Sequence, residues 1–235
     1  MRLLYIVFVL LFASVPLSFA SSIQDIIDHN SENMWHVGKD LTPGDSFSYS
    51  ICDNMQRFTE GGHCYDIRLD FFAELMSGSD EVWVVQAEVH HNNSTEYHVF
   101  LIDSDTMQIK TDYVGSKFAY SVENTILYLV NFAYEESPQR LSVGSIWGTI
   151  PSYIKDLYVV ISSTESFEDS SGTIHDTYLV QYGFFKSSVF LVSPDIAFPV
   201  HAVAYDTRVA SNDPRVLFTF ELQEHVPGDI HTARN

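Results

Sequence analysis

The sequence predicts an α+β fold in which a large curled antiparallel β-sheet, a half-barrel or an open barrel, wraps over one buried helix. Aromatic residues make up 14% of the chain, mostly Phe and Tyr, and such side chains fit the half-buried surface of a sheet. Short segments of alternating apolar and polar residues recur, as in strands with one buried face. Only the interior segment 120–134 shows convincing helical spacing instead. Without a dividing linker, residues 21–235 are expected to form a single domain.

The first 20 residues have the pattern of a secretory signal peptide. Arg2 supplies a short positive region, residues 3–17 are mainly apolar, and Ser18 and Ala20 place small residues before a cleavage site. An uncleaved membrane anchor is the alternative, because a span needs about 20 apolar residues. Pro16 and the small residues after it favour cleavage. The protein is therefore expected to be secreted or to lie on the extracytoplasmic cell surface.

The acidic composition of the chain excludes nucleic acid as an expected partner. The sequence holds 31 Asp and Glu residues against 12 Lys and Arg residues, and its formal net charge is −19. So acidic a surface repels nucleic acid and anionic lipid head groups. The expected partners are an apolar small molecule or lipid, or a surface protein, and no cofactor is expected.

The two cysteines of the chain, Cys52 and Cys64, predict a disulfide. An even cysteine count in an exported chain is typical of a disulfide framework. The flanking segments 47–52 and 64–71 have strand patterns, and residues 60–62 are turn-forming, so the bridge would join the two strands of a hairpin. A metal or redox pair is the alternative, although Cys-x11-Cys matches no redox motif.

Most of the remaining chain is expected to be extended. Residues 21–40 predict a short N-terminal helix or an ordered arm, because apolar residues lie three and four positions apart. Residues 163–172 are expected to form a polar, acidic loop. Besides the central hairpin, strands are predicted at 46–52, 65–72, 107–111, 156–162, 173–183, 187–193, 199–206 and 215–222.

The central hairpin has the clearest alternation. Its first strand is predicted at 82–91, and residues 92–95 are interpreted as a four-residue turn. This register places His91 opposite Glu96. The apolar face of the hairpin would comprise Trp83, Val85, Ala87, Val89, Phe100 and Ile102.

The interior helix is predicted at 120–134. Val122, Ile126 and Leu129 belong to an apolar stripe at helical spacing, and Ser121 is placed to cap the first turn. The apolar arc is wide, so this helix is expected to be the central element of the core.

Two stretches resemble known families. The segments 187–193, Ser-Ser-Val-Phe-Leu-Val-Ser, and 197–205, Ala-Phe-Pro-Val-His-Ala-Val-Ala-Tyr, resemble the late hairpins of lipoprotein-carrier-like half-barrel proteins, over about the last 50 residues. That resemblance implies a sheet curled around a helix, with an acyl chain in its apolar concavity. Residues 43–49, Pro-Gly-Asp-Ser-Phe-Ser-Tyr, and 51–53, Ile-Cys-Asp, are similar to uncharacterised secreted archaeal proteins, which implies no known activity. Neither resemblance carries over a catalytic residue.

A cavity between helix and sheet is the predicted ligand site. Leu129 would form its floor, and a hollow of a few hundred cubic ångströms would suit an apolar or lipid-like ligand. Alternatively, the same side chains pack against one another at the density of a protein interior. The walls would comprise Trp83, Val85, Phe100 and Ile102 on one side and Leu157, Val159 and Ile161 on the other.

The tip of the central hairpin offers two further candidate sites. His91, Glu96 and His98 would share one face, and two imidazoles with a carboxylate are a ligand set for zinc or copper. An exposed, hydrated hairpin tip is the alternative. Asn92 and Asn93 each begin an N-glycosylation sequon.

The sequence favours a non-enzymatic function. Residues 44–46, Gly-Asp-Ser, match the nucleophile triplet of one esterase family, but they follow no hydrophobic strand and no late Asp-x-x-His accompanies them. We therefore expect an extracytoplasmic binding protein that holds an apolar or lipid-like ligand in a concave sheet. The alternatives are a cell-surface structural or interaction module without a small ligand, and a metal-binding protein that uses the His91 hairpin.

Overall fold

A computed structural model describes residues 33–55, 63–77, 80–110, 117–131, 138–150, 155–184, 186–208 and 211–228. The chain divides into two units, Met1–Met34 and Trp35–Asn235. Nearly all of the first unit, including the predicted signal peptide and most of the predicted N-terminal arm, lies outside the described residues. Apart from Met34, the residues described below belong to the second unit. No helix in the described part of the chain is long and apolar enough to cross a membrane.

The described residues form twelve strands, one α-helix and one 3₁₀ helix. The α-helix, α1, spans Lys117–Asn124, and the 3₁₀ helix spans Tyr128–Asn131. Two short strands, β1 and β6, lie outside the main sheet. The strands are β1 Met34–Trp35, β2 Ser46–Asp53, β3 Cys64–Ser77, β4 Asp80–His91, β5 Ser94–Asp103, β6 Gln139–Arg140, β7 Ile146–Ile150, β8 Leu157–Glu168, β9 Ile174–Gly183, β10 Ser187–Val192, β11 His201–Tyr205 and β12 Val216–Val226.

The main sheet joins two antiparallel meanders. Its ten strands follow the order β5-β4-β3-β2-β12-β11-β10-β9-β8-β7. Strands β2 to β5 form one meander and β7 to β12 form the other, so the pairing of β2 with β12 connects them. The outer strands, β5 and β7, do not pair with each other, and the sheet is open rather than closed into a barrel. The predicted antiparallel sheet accompanied by one α-helix is confirmed at this coarse level for the described residues.

One face of the sheet is buried, because strand residues alternate between its two faces. In β2, Phe47, Tyr49 and Ile51 are fully buried, whereas the intervening Ser48 and Ser50 are half-buried. The helical segment supplies further buried side chains to the same hydrophobic core. We call the apolar side the inner face and the opposite side the outer face.

A buried polar chain connects α1 to the inner face. The Tyr65 hydroxyl donates to Ser121 Oγ at 2.7 Å, and Ser121 Oγ donates to Asp53 Oδ2 at 2.7 Å. The Met55 amide donates to the other Asp53 oxygen at 2.8 Å. Burial, together with the Asp53 charge, raises the pKa of Tyr65, although its bond to Ser121 acts in the opposite direction.

Over residues 120–131 the predicted helix at 120–134 is wrong in its continuity and in its cap, and residues 132–134 lie outside the described part of the chain. The α-helix begins at Lys117 and ends at Asn124, and the following backbone bonds are irregular: Leu127 N bonds Val122 O, and Val130 N bonds Leu127 O. Thr125 Oγ1 also bonds the Ser121 carbonyl at 2.6 Å, a side-chain bond that competes with regular helix bonding. Ser121 lies within the helix rather than at its cap.

The predicted register of the central hairpin is wrong by two residues. Asn92 and Asn93 have φ values of 50° and 59°, as in a two-residue type I′ turn. His91 therefore pairs with Ser94 rather than Glu96, and Val85 pairs with Phe100. A shift of two residues keeps every side chain on its predicted face, because the strand period is two.

Two other predicted segments differ, and one strand of the main sheet was not predicted. Strand β8 continues to Glu168 through most of the loop predicted at 163–172. The predicted strand 107–111 contributes a single bridge, between Ile109 and Ile102. Strand β7 was not predicted.

Candidate functional site

An open depression of about 440 Å³ lies on the outer face, above the hairpin of β2 and β3. It overlies the central strands of the sheet, where the two meanders meet. The residues that line it are Ser50, Ile51, Cys52, Cys64, Tyr65, Asp66, His90, His91, Asn92, His201, Thr219, Phe220 and Glu221.

Five of the polar lining residues form a single row across five neighbouring strands. His90 of β4 pairs with Asp66 of β3, and Asp66 pairs with Ser50 of β2. Ser50 pairs with Glu221 of β12, which pairs with His201 of β11. The register therefore fixes the order His90, Asp66, Ser50, Glu221, His201, at about 4.8 Å per strand. We call these five residues the polar row.

Small side chains on β2 leave room for the depression. Ser48, Ser50 and Cys52 occupy the outer face of this strand, whereas Asp66 of β3 and Glu221 of β12 have longer side chains on either side. The outward residues of β2 thus form a floor between two walls.

The disulfide lies in this floor and confirms the predicted bridge. Cys52 and Cys64 are directly opposite each other in the register of β2 and β3, with a Cα–Cα distance of 4.0 Å and an S–S distance of 2.07 Å. Asp53 N bonds His63 O at 2.9 Å in the adjacent position. The bridge therefore joins neighbouring strands of a hairpin, as the sequence predicted.

The two carboxylates of the polar row have no Lys or Arg partner among the described residues. Asp66 accepts a bond from Ser50 Oγ at 2.5 Å. Glu221 Oε2 lies 4.0 Å from His201 Nδ1. The nearby Arg68 is oriented toward Asp70, at 2.9 Å, and Ser46, at 3.0 Å.

The two imidazoles at the ends of the row have different surroundings. His90 is exposed and contacts Thr95 Oγ1 at 3.0 Å and Glu88 Oε1 at 3.3 Å. His201 is more enclosed, and burial lowers its pKa, although Glu221 and Glu165 oppose this shift. The lowered pKa favours the neutral form of His201.

The predicted cavity residues lie elsewhere, in the hydrophobic core. All eight are at most 6% exposed and belong to one continuous cluster of buried side chains. None of them lines the depression. They are Trp83, Val85, Phe100, Ile102, Leu129, Leu157, Val159 and Ile161.

Two of the predicted metal ligands, His91 and His98, lie near Phe118 of α1. The rings of His91 and His98 lie 6.5 and 5.3 Å from the Phe118 ring, and His98 Nε2 lies 3.4 Å from Glu96 Oε2. In the described part of the chain, no three His, Cys, Asp or Glu side chains are arranged to hold a metal ion. The sequon residues Asn92 and Asn93 are exposed in the turn, and their glycosylation stays a prediction.

The polar row was not predicted from the sequence. The alternation of 46–52 did show small residues at every outward position, Ser46, Ser48, Ser50 and Cys52, and this was a signal for a shallow floor. Glu221 and His201, however, lie beside this floor only because β12 pairs with β2 and β11 pairs with β12. No local sequence pattern predicts the pairing of β2 with β12.

Comparisons with known proteins identify no family. No protein-family model and no curated protein matches the chain. One similar solved structure is a protein of Bacteroides fragilis NCTC 9343, described as a candidate exported protein with a YmcC-like fold. It is 8% identical, with a TM-score of 0.36, over 83% of this chain and 99% of that chain. A likeness at this level assigns neither a family nor an activity.

Proposed function

We propose that the protein is an extracytoplasmic, non-enzymatic binding module that docks a partner in the depression on its outer face. The observation that carries this proposal is the depression itself, a concave region of about 440 Å³ on the outer face of the sheet. Its size falls within the usual range of ligand pockets, roughly 300–1,000 Å³.

The disulfide and the N-terminal pattern support the extracytoplasmic location. Disulfides persist in oxidising compartments and are rare in the cytosol. The bridge between Cys52 and Cys64 and the signal-like residues 1–20 point to the same side of the membrane.

The contacts of Ser50 favour binding over catalysis. A nucleophilic serine needs a general base that accepts its proton, usually an imidazole within about 2.6–3.2 Å. Ser50 Oγ instead donates to Asp66, and His90 contacts Glu88 and Thr95. The polar row thus resembles a set of recognition groups rather than a catalytic triad.

The burial of the predicted cavity walls favours a surface site over an internal carrier site. Val85 and Ile102 are fully buried, and Leu129 is 1% exposed, all within the core cluster. A lipid carrier would need these side chains to border a hollow.

Filling the depression tests the proposed site. Fluorescently labelled protein, residues 21–235, is measured for binding to the surface of its own host cells by flow cytometry. Ser50→Arg and Thr219→Arg each place a long side chain in the depression, and we expect each to weaken binding by about tenfold or more, as at an interface hot spot. Ser166→Arg, at an exposed position of β8 outside the lining, is the matched control.

Two outcomes contradict the proposal. One is unchanged cell binding by both depression variants, and the other is an equal loss in the Ser166→Arg control. Thermal unfolding of each variant verifies that it is folded, and the two depression variants lie on different strands, so a folding defect in one leaves the other to decide.

A further inference from the structure

We infer that the depression receives a Lys or Arg side chain from a basic segment of a partner protein. This inference rests on the proposed function and adds the chemistry of the partner. It follows from the sign, spacing and surroundings of the charges in the polar row.

The two carboxylates stand on either side of the floor. Asp66 and Glu221 both pair with Ser50, one on each neighbouring strand, so their backbones are about 9–10 Å apart. A cationic group above Ser50 can therefore contact both walls. A guanidinium offers five N–H donors and an ammonium offers three, and neither has an acceptor that would face the carboxylates.

The charges of the walls are available to a partner. Asp66 accepts one hydroxyl bond, which leaves most of its acceptor capacity unused, and among the described side chains the Glu221 carboxylate contacts only His201, at 4.0 Å. Among the described lining residues there is no Lys or Arg. A cation from outside would thus meet two carboxylates that no Lys or Arg of the described lining neutralises.

The disulfide suits the stem of such a side chain. Lys and Arg have long apolar stems that pack on weakly polar surface while the charged head contacts polar groups. The Cys52–Cys64 bridge lies in the floor, two residues along the strands from the polar row, and offers such a surface beside the carboxylates.

The charge of the whole chain complements a basic partner. Its formal net charge is −19, and a field of one sign attracts oppositely charged partners and repels like-charged ones. An acidic partner would meet repulsion from both the walls and the whole molecule.

Short peptides test this inference directly. The probes are N-acetylated, amidated tetra-arginine, tetra-lysine, tetra-citrulline and tetra-glutamate, titrated against residues 21–235 by calorimetry in 150 mM salt. Citrulline keeps the shape of arginine without its charge. We expect the arginine and lysine peptides to bind at least about tenfold more tightly than the citrulline peptide, and no binding of the glutamate peptide.

Two double variants with the same change in net charge separate the site from general attraction. Asp66→Asn with Glu221→Gln removes the negative charges of both walls, and we expect it to weaken binding of the arginine peptide by at least about tenfold. Glu74→Gln with Glu81→Gln alters exposed carboxylates outside the depression, and we expect less than about a twofold change. Equal losses in the two double variants, or equal binding of arginine and citrulline peptides, would overturn the inference.

Failure of this inference is distinguishable from failure of the proposed function. If Ser50→Arg abolishes cell binding but the cationic peptides do not bind, the depression is a docking site for another chemistry. If cell binding survives in both depression variants, the proposed function itself is wrong.

Discussion

At the scale of single residues, Asp45 connects the beginning of the main sheet to the end of its last strand. Its carboxylate accepts the Thr42 amide at 2.6 Å and the Gly228 amide at 2.7 Å. His225 Nε2 lies 3.6 Å away, longer than a hydrogen bond, and the His225 ring stacks on Phe47 at 4.5 Å. Asp45 thereby ties the turn before β2 to the segment after β12.

We expect Asp45→Asn to lower the free energy of unfolding at pH 7 by about 1.5–3 kcal/mol, the usual contribution of hydrogen bonds to a charged group. The side-chain NH₂ of Asn would also face a backbone N–H group, of Thr42 or Gly228, that now donates to the Asp45 carboxylate. Two donors would then oppose each other. Urea unfolding measures the change. Asp213→Asn, at an exposed position, is the control and should change the free energy by less than about 0.5 kcal/mol.

The pH dependence of the stability difference between wild type and Asp45→Asn is an independent test of this role. Burial alone would raise the pKa of Asp45, but the His225 contact and the bonds from Thr42 and Gly228 outweigh it, and the pKa lies below 3.8. Its contribution is therefore complete above pH 3.8 and disappears as the pH falls through the folded-state pKa. The difference between wild type and Asp45→Asn should shrink in acid, and a difference that grew there would contradict this role.

At the scale of elements, α1 is held to the sheet by polar contacts as well as by packing. Ser121 connects Tyr65 of β3 to Asp53 of β2, and all three side chains are almost completely buried. A buried polar chain of this kind fixes the position of a short helix, because only one arrangement satisfies its donors and acceptors.

We expect Ser121→Ala to lower the free energy of unfolding by about 1–3 kcal/mol. The substitution removes the hydroxyl that donates to Asp53 and the acceptor of the Tyr65 hydroxyl. Tyr65→Phe removes only one bond of the chain and should cost less. A double-mutant cycle on these two positions should show coupling of at least about 0.5 kcal/mol, whereas strictly additive effects would mean that the chain is not a unit.

At the scale of the whole molecule, local patterns predicted the strands better than their assembly. The alternation around Val85 and Phe100 predicted the buried face even though the hairpin register was wrong by two residues, because both registers share a face. The helix was predicted to continue past Asn124, because apolar spacing does not show that Thr125 bonds back to Ser121. The polar row was missed because Ser50 and Glu221 are distant in sequence and meet only at the seam between the meanders.

That seam yields a final prediction about the sheet. Strand β12 pairs with β2 on one side and β11 on the other, and its Phe220 and Leu222 are at most 2% exposed. Removing residues 214–235 would expose the edges of both meanders and uncover the core, so we expect loss of the cooperative unfolding transition and aggregation on size-exclusion chromatography. Removing only residues 229–235 keeps β12 and the Gly228 bond to Asp45, and should leave the unfolding transition in place. A chain without β12 that still unfolds cooperatively would show that each meander folds alone, and the outer-face depression would then be a site assembled between two independent halves.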